Sequence, residues 1–146
     1  MRLKDIAGIR GRPVIIIGLE GTVHDAIQKM VKNKIGALPV CDAQGKVVGI
    51  ISERDLLKEC AKHSAVIGQT KIEEIMTKDV ISGVPEDSLD HTMRVMVQNG
   101  IRHLPIMAGS QLEGMISMRD VVQAQLEEFK EKLENTKAQV LNYFDV

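Results

Sequence analysis

Two seven-residue blocks carry the side chains best suited to chemistry. They are Gly49-Ile50-Ile51-Ser52-Glu53-Arg54-Asp55 and Gly114-Met115-Ile116-Ser117-Met118-Arg119-Asp120, each a glycine and two apolar residues followed by Ser-x-Arg-Asp. A carboxylate such as Asp55 or Asp120 can accept hydrogen bonds from both hydroxyls of a cis-diol. A serine where a strand meets a helix sits beside unbonded N–H groups, which together with the helix dipole favour phosphate. Arg54 and Arg119 are near enough in sequence to clamp phosphate oxygens. The same spacing also has a purely structural use. Ser-x-x-Asp ahead of a helix is an N-cap with an acidic third residue, worth ~1 kcal/mol with no ligand at all. Spacing alone leaves the two readings level.

The two copies differ in charge nearby. Gly100-Ile101-Arg102-His103-Leu104-Pro105 stands where the first copy has Lys34-Ile35-Gly36-Ala37-Leu38-Pro39, so Arg102 and His103 replace Gly36 and Ala37. A phosphate at the Arg102-His103 corner gains charge-assisted bonds that the other corner lacks. A solvated arginine and a locally satisfied histidine are the plainer reading. Other chemistries find less support. His24, His63, His91 and His103 fall at no metal-ligand spacing with Cys41, Cys60 or a carboxylate, so no metal site is expected. Cys41 reads as an apolar strand residue, not a nucleophile. There is no Ser-His-Asp arrangement, P-loop or GxGxxG, and hence no general base or metal on which to build an enzyme.

The elements that position these blocks follow from an internal repeat. Offset by 66 residues, residues 5–40 align with 71–106 without gaps, with identities that include Ile6/Ile72, Ile9/Ile75, Glu20/Glu86, Met30/Met96, Leu38/Leu104 and Pro39/Pro105. One residue fewer in the next turn then brings Gly49, Ile51, Ser52, Arg54 and Asp55 onto Gly114, Ile116, Ser117, Arg119 and Asp120. In each unit a β-branched run, Val14–Ile17 or Val80–Ile81, predicts a strand. Thr22 and Ser88 stand where an N-cap belongs. Val23, Ala26, Ile27, Met30 and Val31 then form an apolar helix stripe, repeated by Leu89, Met93, Met96 and Val97, with Gly100 as a stop. Strands are predicted at Ala37–Cys41 and Val47–Ile51, and at Leu104–Met107 and Leu112–Ser117. Helices are predicted from near Arg54 and Arg119. The order is βαββα twice, an α/β (α+β) fold of two units packed about a pseudo-two-fold axis. The expected domains are residues 5–65 and 71–125, with a helical extension over 126–146. In that extension Val122, Leu126, Phe129, Leu133, Thr136 and Val140 recur in heptad-like steps. They suit either packing back on the body or docking a second protomer.

Composition bounds the rest. The chain has 146 residues, 44% apolar and 27% charged, with a net charge of −1. This suits a packed core and gives no basic block for nucleic acid. No apolar run approaches the ~18 residues of a membrane span. Lys4, Asp5, Arg10 and Arg12 interrupt any signal peptide. Two cysteines without CxxC spacing fit a reducing, cytoplasmic setting. Phe129, Tyr143 and Phe144 are the aromatics, all near the C-terminus, so a pocket in the body must hold a ring between aliphatic side chains.

With Ala37-Leu38-Pro39-Val40 and His103-Leu104-Pro105-Ile106 upstream, the glycine-led blocks resemble the signature stretches of CBS domains. Both stretches appear in both copies, and the resemblance spans about residues 5–125. It implies a stand-alone CBS-domain pair, a regulatory module and not an enzyme, binding an adenosine compound (AMP, ADP, ATP or NAD(H), with S-adenosylmethionine less favoured) between its units. Ser52 and Asp55, and Ser117 and Asp120, would then contact ribose and phosphate. The stretch containing Ile101, Arg102, His103 and Pro105 would border the cleft. The first strand of a unit, Thr77, Asp79, Val80 and Ile81 in one copy and Pro13 to Ile15 in the other, would cradle the adenine by its main chain. Pro13 has no N–H to offer, which counts against the first copy. The resemblance further implies a homodimer and a separate regulated protein. A protein-interaction module that binds no nucleotide is the alternative.

Overall fold

A computed structural model describes residues 1–6, 9, 11–62 and 67–144; Arg10 and His63, weighed above, lie outside the described residues. The first unit comprises β1 (Ile17–Gly18), α1 (Val23–Asn33), β2 (Ala37–Cys41), β3 (Val47–Ser52) and α2 (Glu53–Lys62). A short α3 (Ile72–Ile75) leads into the second, made of α4 (Leu89–Asn99), β4 (His103–Ala108), β5 (Gln111–Ser117) and α5 (Met118–Phe144). β2 pairs antiparallel with β3 and parallel with β1, and β4 pairs antiparallel with β5. No helix is long and apolar enough to cross a membrane among the described residues.

The helices begin and end where the side chains say they should. Thr22 Oγ1 accepts from Asp25 N–H at 3.3 Å while the Asp25 carboxylate accepts from Thr22 N–H at 3.0 Å, a reciprocal cap. Ser88 accepts from His91 N–H at 3.1 Å. Gly100 ends α4 in the left-handed region, at φ 63°. Its counterpart Lys34 takes the same conformation at φ 53°, although a side chain there crowds the following carbonyl.

The first strands are shorter than the sequence predicts. β1 holds only Ile17 and Gly18, and Val80 and Ile81 lie in no strand; in the second unit only Gly83 bridges, parallel to Ile106. The reason lies in the partner strand. Gly83 donates to Pro105 O at 2.9 Å and accepts from Met107 N–H at 2.8 Å. Two residues earlier, Ile81 would need an N–H from residue 105, which is proline. Pro39 likewise denies a donor to Ile15. A β-branched run makes the chain extended, but a strand also needs a neighbour with hydrogen bonds to give.

Freed from the sheet, these segments cross between units. Thr77 exchanges both main-chain bonds with Ile50 on β3, at 2.9 and 3.0 Å, before the chain reaches Gly83 beside β4. The lead-in turn Leu3–Asp5 and α3 cross with them. Leu3 and Ile6, ahead of unit 1, are buried in the core of unit 2 with Leu89, Met96, Leu104 and Ile116. Ile72, ahead of unit 2, is buried in unit 1 with Val23, Leu38 and Ile51. The Glu20/Glu86 identity marks the same exchange. Lys4 and Arg2 pair with Glu86, the former at 2.8 Å, and Lys71 approaches Glu20 at 3.7 Å.

Two outcomes follow from this packing. Leu3→Ala removes a side chain with no exposure from the core of unit 2 and should cost about 2–4 kcal/mol by urea denaturation; a loss below ~1 kcal/mol would contradict the exchange. Lys34→Gly relieves the left-handed strain and should raise the melting temperature by ~3 °C, whereas Gly100→Ala should lower it.

Candidate functional site

Ile9 and the crossing segment 12–15 run along a cavity of about 950 Å³ between the units. Pro13, Val14 and Ile15 line one wall, Gly36 and Ala37 of unit 1 a second, and Arg102, His103, Ser117 and Asp120 of unit 2 a third. No main-chain hydrogen bond engages Pro13, Val14 or Ile15 among the described residues, so their carbonyls and the N–H groups of Val14 and Ile15 are available to a ligand.

Ser117 and Asp120 are held by one another. The Asp120 carboxylate accepts from Ser117 N–H and from Ser117 Oγ–H through Oδ2, both at 2.8 Å, and Asp120 N–H donates to Ser117 Oγ at 3.2 Å. Ser52 and Asp55 repeat the pattern at 2.9, 3.0 and 3.4 Å. The capping use is therefore realised in both copies. It consumes one carboxylate oxygen and leaves Asp120 Oδ1 without a protein partner among the described residues, so the cap also aims the free oxygen. The helix start is less open than the sequence suggests. Met118 N–H already donates to Arg102 O at 2.8 Å, as Glu53 N–H does to Gly36 O at 3.0 Å.

The charge difference between copies has a steric side. A Cβ on Gly36 would lie 3.1 Å from His103 Cε1 and 3.2 Å from the Glu53 carboxyl carbon. His103 thus lies across the space that a side chain at position 36 would fill. Burial pushes the His103 imidazole below its usual range, against the pull of the Glu53 and Asp120 carboxylates; Arg102 adds to the lowering. Around the cavity Arg12, Lys34, Arg102 and Arg119 face two carboxylates, Glu53 and Asp120. Four fixed cations against two anions favour an anionic guest.

The structure brings together Ile15, Arg102, His103, Ser117, Arg119 and Asp120 from the sequence reading. The remaining candidates stand apart from this cavity. Thr77 pairs with Ile50, two residues ahead of Ser52 on β3, with Asp79 and Val80 following it, and none of these, nor Arg54 or Asp55, lines the cavity. Ile81 and Ile101 pack on the core of unit 2, and Pro105 is buried in β4. Arg54 reaches across to donate to Gly100 O at 3.4 Å. Pro13 needs correcting. It does not count against the first copy, since it lines the cavity of the second copy's serine and aspartate, where the crossing places it. Glu53, Lys34 and Arg12 were missed. Glu53 occupies the variable position of Ser-x-Arg-Asp, whose counterpart is Met118, and only folding shows that it faces His103. Cys41 is buried in β2, and burial raises its thiol pKa, as an apolar strand residue requires.

Comparison with known proteins agrees with this architecture. The family model for the CBS domain matches residues 4–62 and 72–127. The mitochondrial CBS domain-containing protein CBSX3 of Arabidopsis thaliana is 34% identical over 125 residues, covering 83% of this chain and 61% of its own length. The chain thus spans less than two thirds of that relative. The CBS-domain containing protein ATU1752 of Agrobacterium tumefaciens has a solved structure with TM-score 0.81 and 35% identity, over 85% of this chain and 92% of that one. The CBS domain pair of protein MJ0100, solved in complex with 5′-methylthioadenosine and S-adenosyl-L-methionine, has TM-score 0.76 and 26% identity, over 88% of this chain and 98% of that one. With both repeats matched and their exchanged packing in place, the chain belongs to the CBS domain family as a tandem pair.

Proposed function

We propose that the chain is a regulatory module, not an enzyme, that holds a phosphate-bearing adenosine compound in the cavity between its units. AMP, ADP, ATP and NAD(H) are the candidates. The observation that carries this is the meeting of unbonded main chain at Pro13 to Ile15 with Arg102, His103, Ser117 and Asp120 around one space. The ligand's ring would lie between aliphatic side chains such as Ile15 and Val31, its ribose hydroxyls at the free Asp120 oxygen, and its phosphate at Arg102 and His103. The neighbour solved with 5′-methylthioadenosine and S-adenosyl-L-methionine supports an adenosine guest. The four cations here favour a phosphate over a sulfonium. Binding would be passed to a separate protein through a change in how the units pack, with the pair acting as a cytoplasmic homodimer. The interaction-module alternative draws on the closed Ser-Asp caps, which stand without a ligand.

Nucleotide affinity separates the two. Isothermal titration with AMP, ATP and NAD should detect binding. Arg102→Ala should weaken it tenfold or more, as expected when a charge-assisted bond worth roughly 1.5–3 kcal/mol is lost. Asp120→Asn, which keeps a capping side chain, should weaken it as well. No binding of any of these, or affinity unchanged in both variants, would sink the assignment.

Proton linkage gives a second test. A phosphate beside His103 pulls the imidazole back up, so binding takes up a proton and affinity should rise as pH falls below 6.5. NAD suits the measurement because its pyrophosphate keeps its charge over that range. The stability of the ligand-free protein should run the other way. The lowered folded value means that the unfolded chain protonates first, so stability is lost as pH falls from 6.5 toward that value. His103→Gln should flatten both profiles; a full pH response in that variant would assign the linkage elsewhere.

A further inference from the structure

The last helix leaves the body of the protein. Val121 and Ala124 are buried and Glu128 is half-buried, but every residue from Phe129 to Phe144 is exposed. This is about 24 Å of helix at 1.5 Å per residue, and the stretch does not pack back on the body. A bare helix of that length is marginal in water, so its order calls for a partner.

The exposed stretch has a narrow apolar seam. Leu126, Leu133 and Val140 occupy one heptad position (a), and Val122, Phe129, Thr136 and Tyr143 the other (d), in alternating steps of four and three. Phe129 is 66% and Leu133 47% exposed. Apart from Leu141 and Phe144 in the last turn, the large apolar residues of the exposed stretch keep to these two positions per heptad, a seam for one helix and narrower than the stripe that lies on a membrane or a globular face. At the root of the seam Met118, Val122 and Leu126 border a shallow apolar hollow of about 400 Å³.

The flanks decide what fits. The positions beside the seam (e and g) are Gln123, Gln125, Lys130, Lys132, Lys137, Gln139 and Phe144, without one carboxylate. Glu127, Glu128, Glu131 and Glu134 occupy the outer positions. A parallel pair of these helices sets g against e, and an antiparallel pair sets e against e and g against g. In either arrangement lysine meets lysine or glutamine, so a second copy is disfavoured. Lys130 and Lys137 have no ion pair among the described residues, and Lys132 has only a loose one to Glu128 at 3.7 Å.

We propose that the exposed stretch of α5 docks a partner protein through an amphipathic helix whose apolar seam is flanked by glutamate or aspartate. The inference rests on α5 alone and is independent of the ligand reading.

The test uses the full chain and two synthetic helical peptides with the same leucine-valine seam, one flanked by glutamates and one by lysines. Each carries a tryptophan, which the chain lacks, for fluorescence anisotropy. The glutamate peptide should bind roughly tenfold or more tightly than the lysine peptide. Leu133→Asp, at an exposed position that leaves the core intact, should abolish this binding. The double variant Lys130→Glu with Lys137→Glu should reverse the preference. Equal affinity for both peptides, binding of neither, or tighter binding to phosphatidylglycerol vesicles than to either peptide would overturn the proposal. So would a doubled mass by light scattering that Leu133→Asp alone removes, which would make the partner a second copy.

Discussion

A strand running parallel to β2 or β4 can extend only as far as its neighbour has N–H groups to donate, and in both units that supply stops at a proline. Pro39 and Pro105 each sit one residue before the last position where the first strand pairs, Ile17 with Val40 and Gly83 with Ile106. Everything upstream is released from its own sheet while staying extended. The released segment is long enough to reach the other unit, where Thr77 finds its main-chain partner in Ile50. The unpaired stretch of Pro13 to Ile15 lies between the units and supplies the backbone that the cavity presents. One missing donor per unit thus frees the upstream segment from its own sheet.

The crossing ties the units together through their cores. Leu3 completes one core and Ile72 the other, both without exposure, and burying such a side chain contributes ~1.5–3 kcal/mol. Separating the units therefore means pulling each lead-in out of its partner's core, not merely parting two surfaces. One of the crossing segments, residues 12–15, lines the cavity. A guest that bonds to the main chain at Val14 and Ile15 and to Arg102 touches both units, so it can bias their packing by its differential contacts.

The repeat, the helix boundaries and the hairpin strands were legible because each is local. Period 3.6 marks α1 and α4, capping serine or threonine marks their starts, and Gly100 marks an end. β2 was read to the residue, as Ala37–Cys41. What could not be read is which copy a segment packs on. Ile6 and Ile72 look identical whether each serves its own unit or the other, since hydrophobic pattern specifies a face and not an address. The error over Pro13 came from this. The shortened first strands were encoded in Pro39 and Pro105 but needed the parallel register before the missing N–H had meaning. Ser52, Arg54, Asp55 and Thr77 fall outside the cavity for the same reason. The order Ser-x-Arg-Asp names a corner, and the crossing decides whose backbone faces it.

The asymmetry between copies has a cause in packing as well as in charge. Position 36 of one unit and position 103 of the other meet across the pseudo-axis so closely that a Cβ at 36 would stand 3.1 Å from the imidazole. A side chain at 36 would therefore require the imidazole and the Glu53 carboxylate to give way by a few tenths of an ångström, which glycine avoids. The chain takes glycine at 36 and places arginine at 102, where it lines the cavity. Faithful symmetry would put small residues on both sides and remove Arg102 and His103 from the cavity wall, or large ones on both sides and crowd the interface. A tandem repeat escapes this because its two copies carry separate residues at equivalent positions. A dimer of identical single units has no such freedom. Joining the units in one chain is what allows a single cationic corner facing a single glycine.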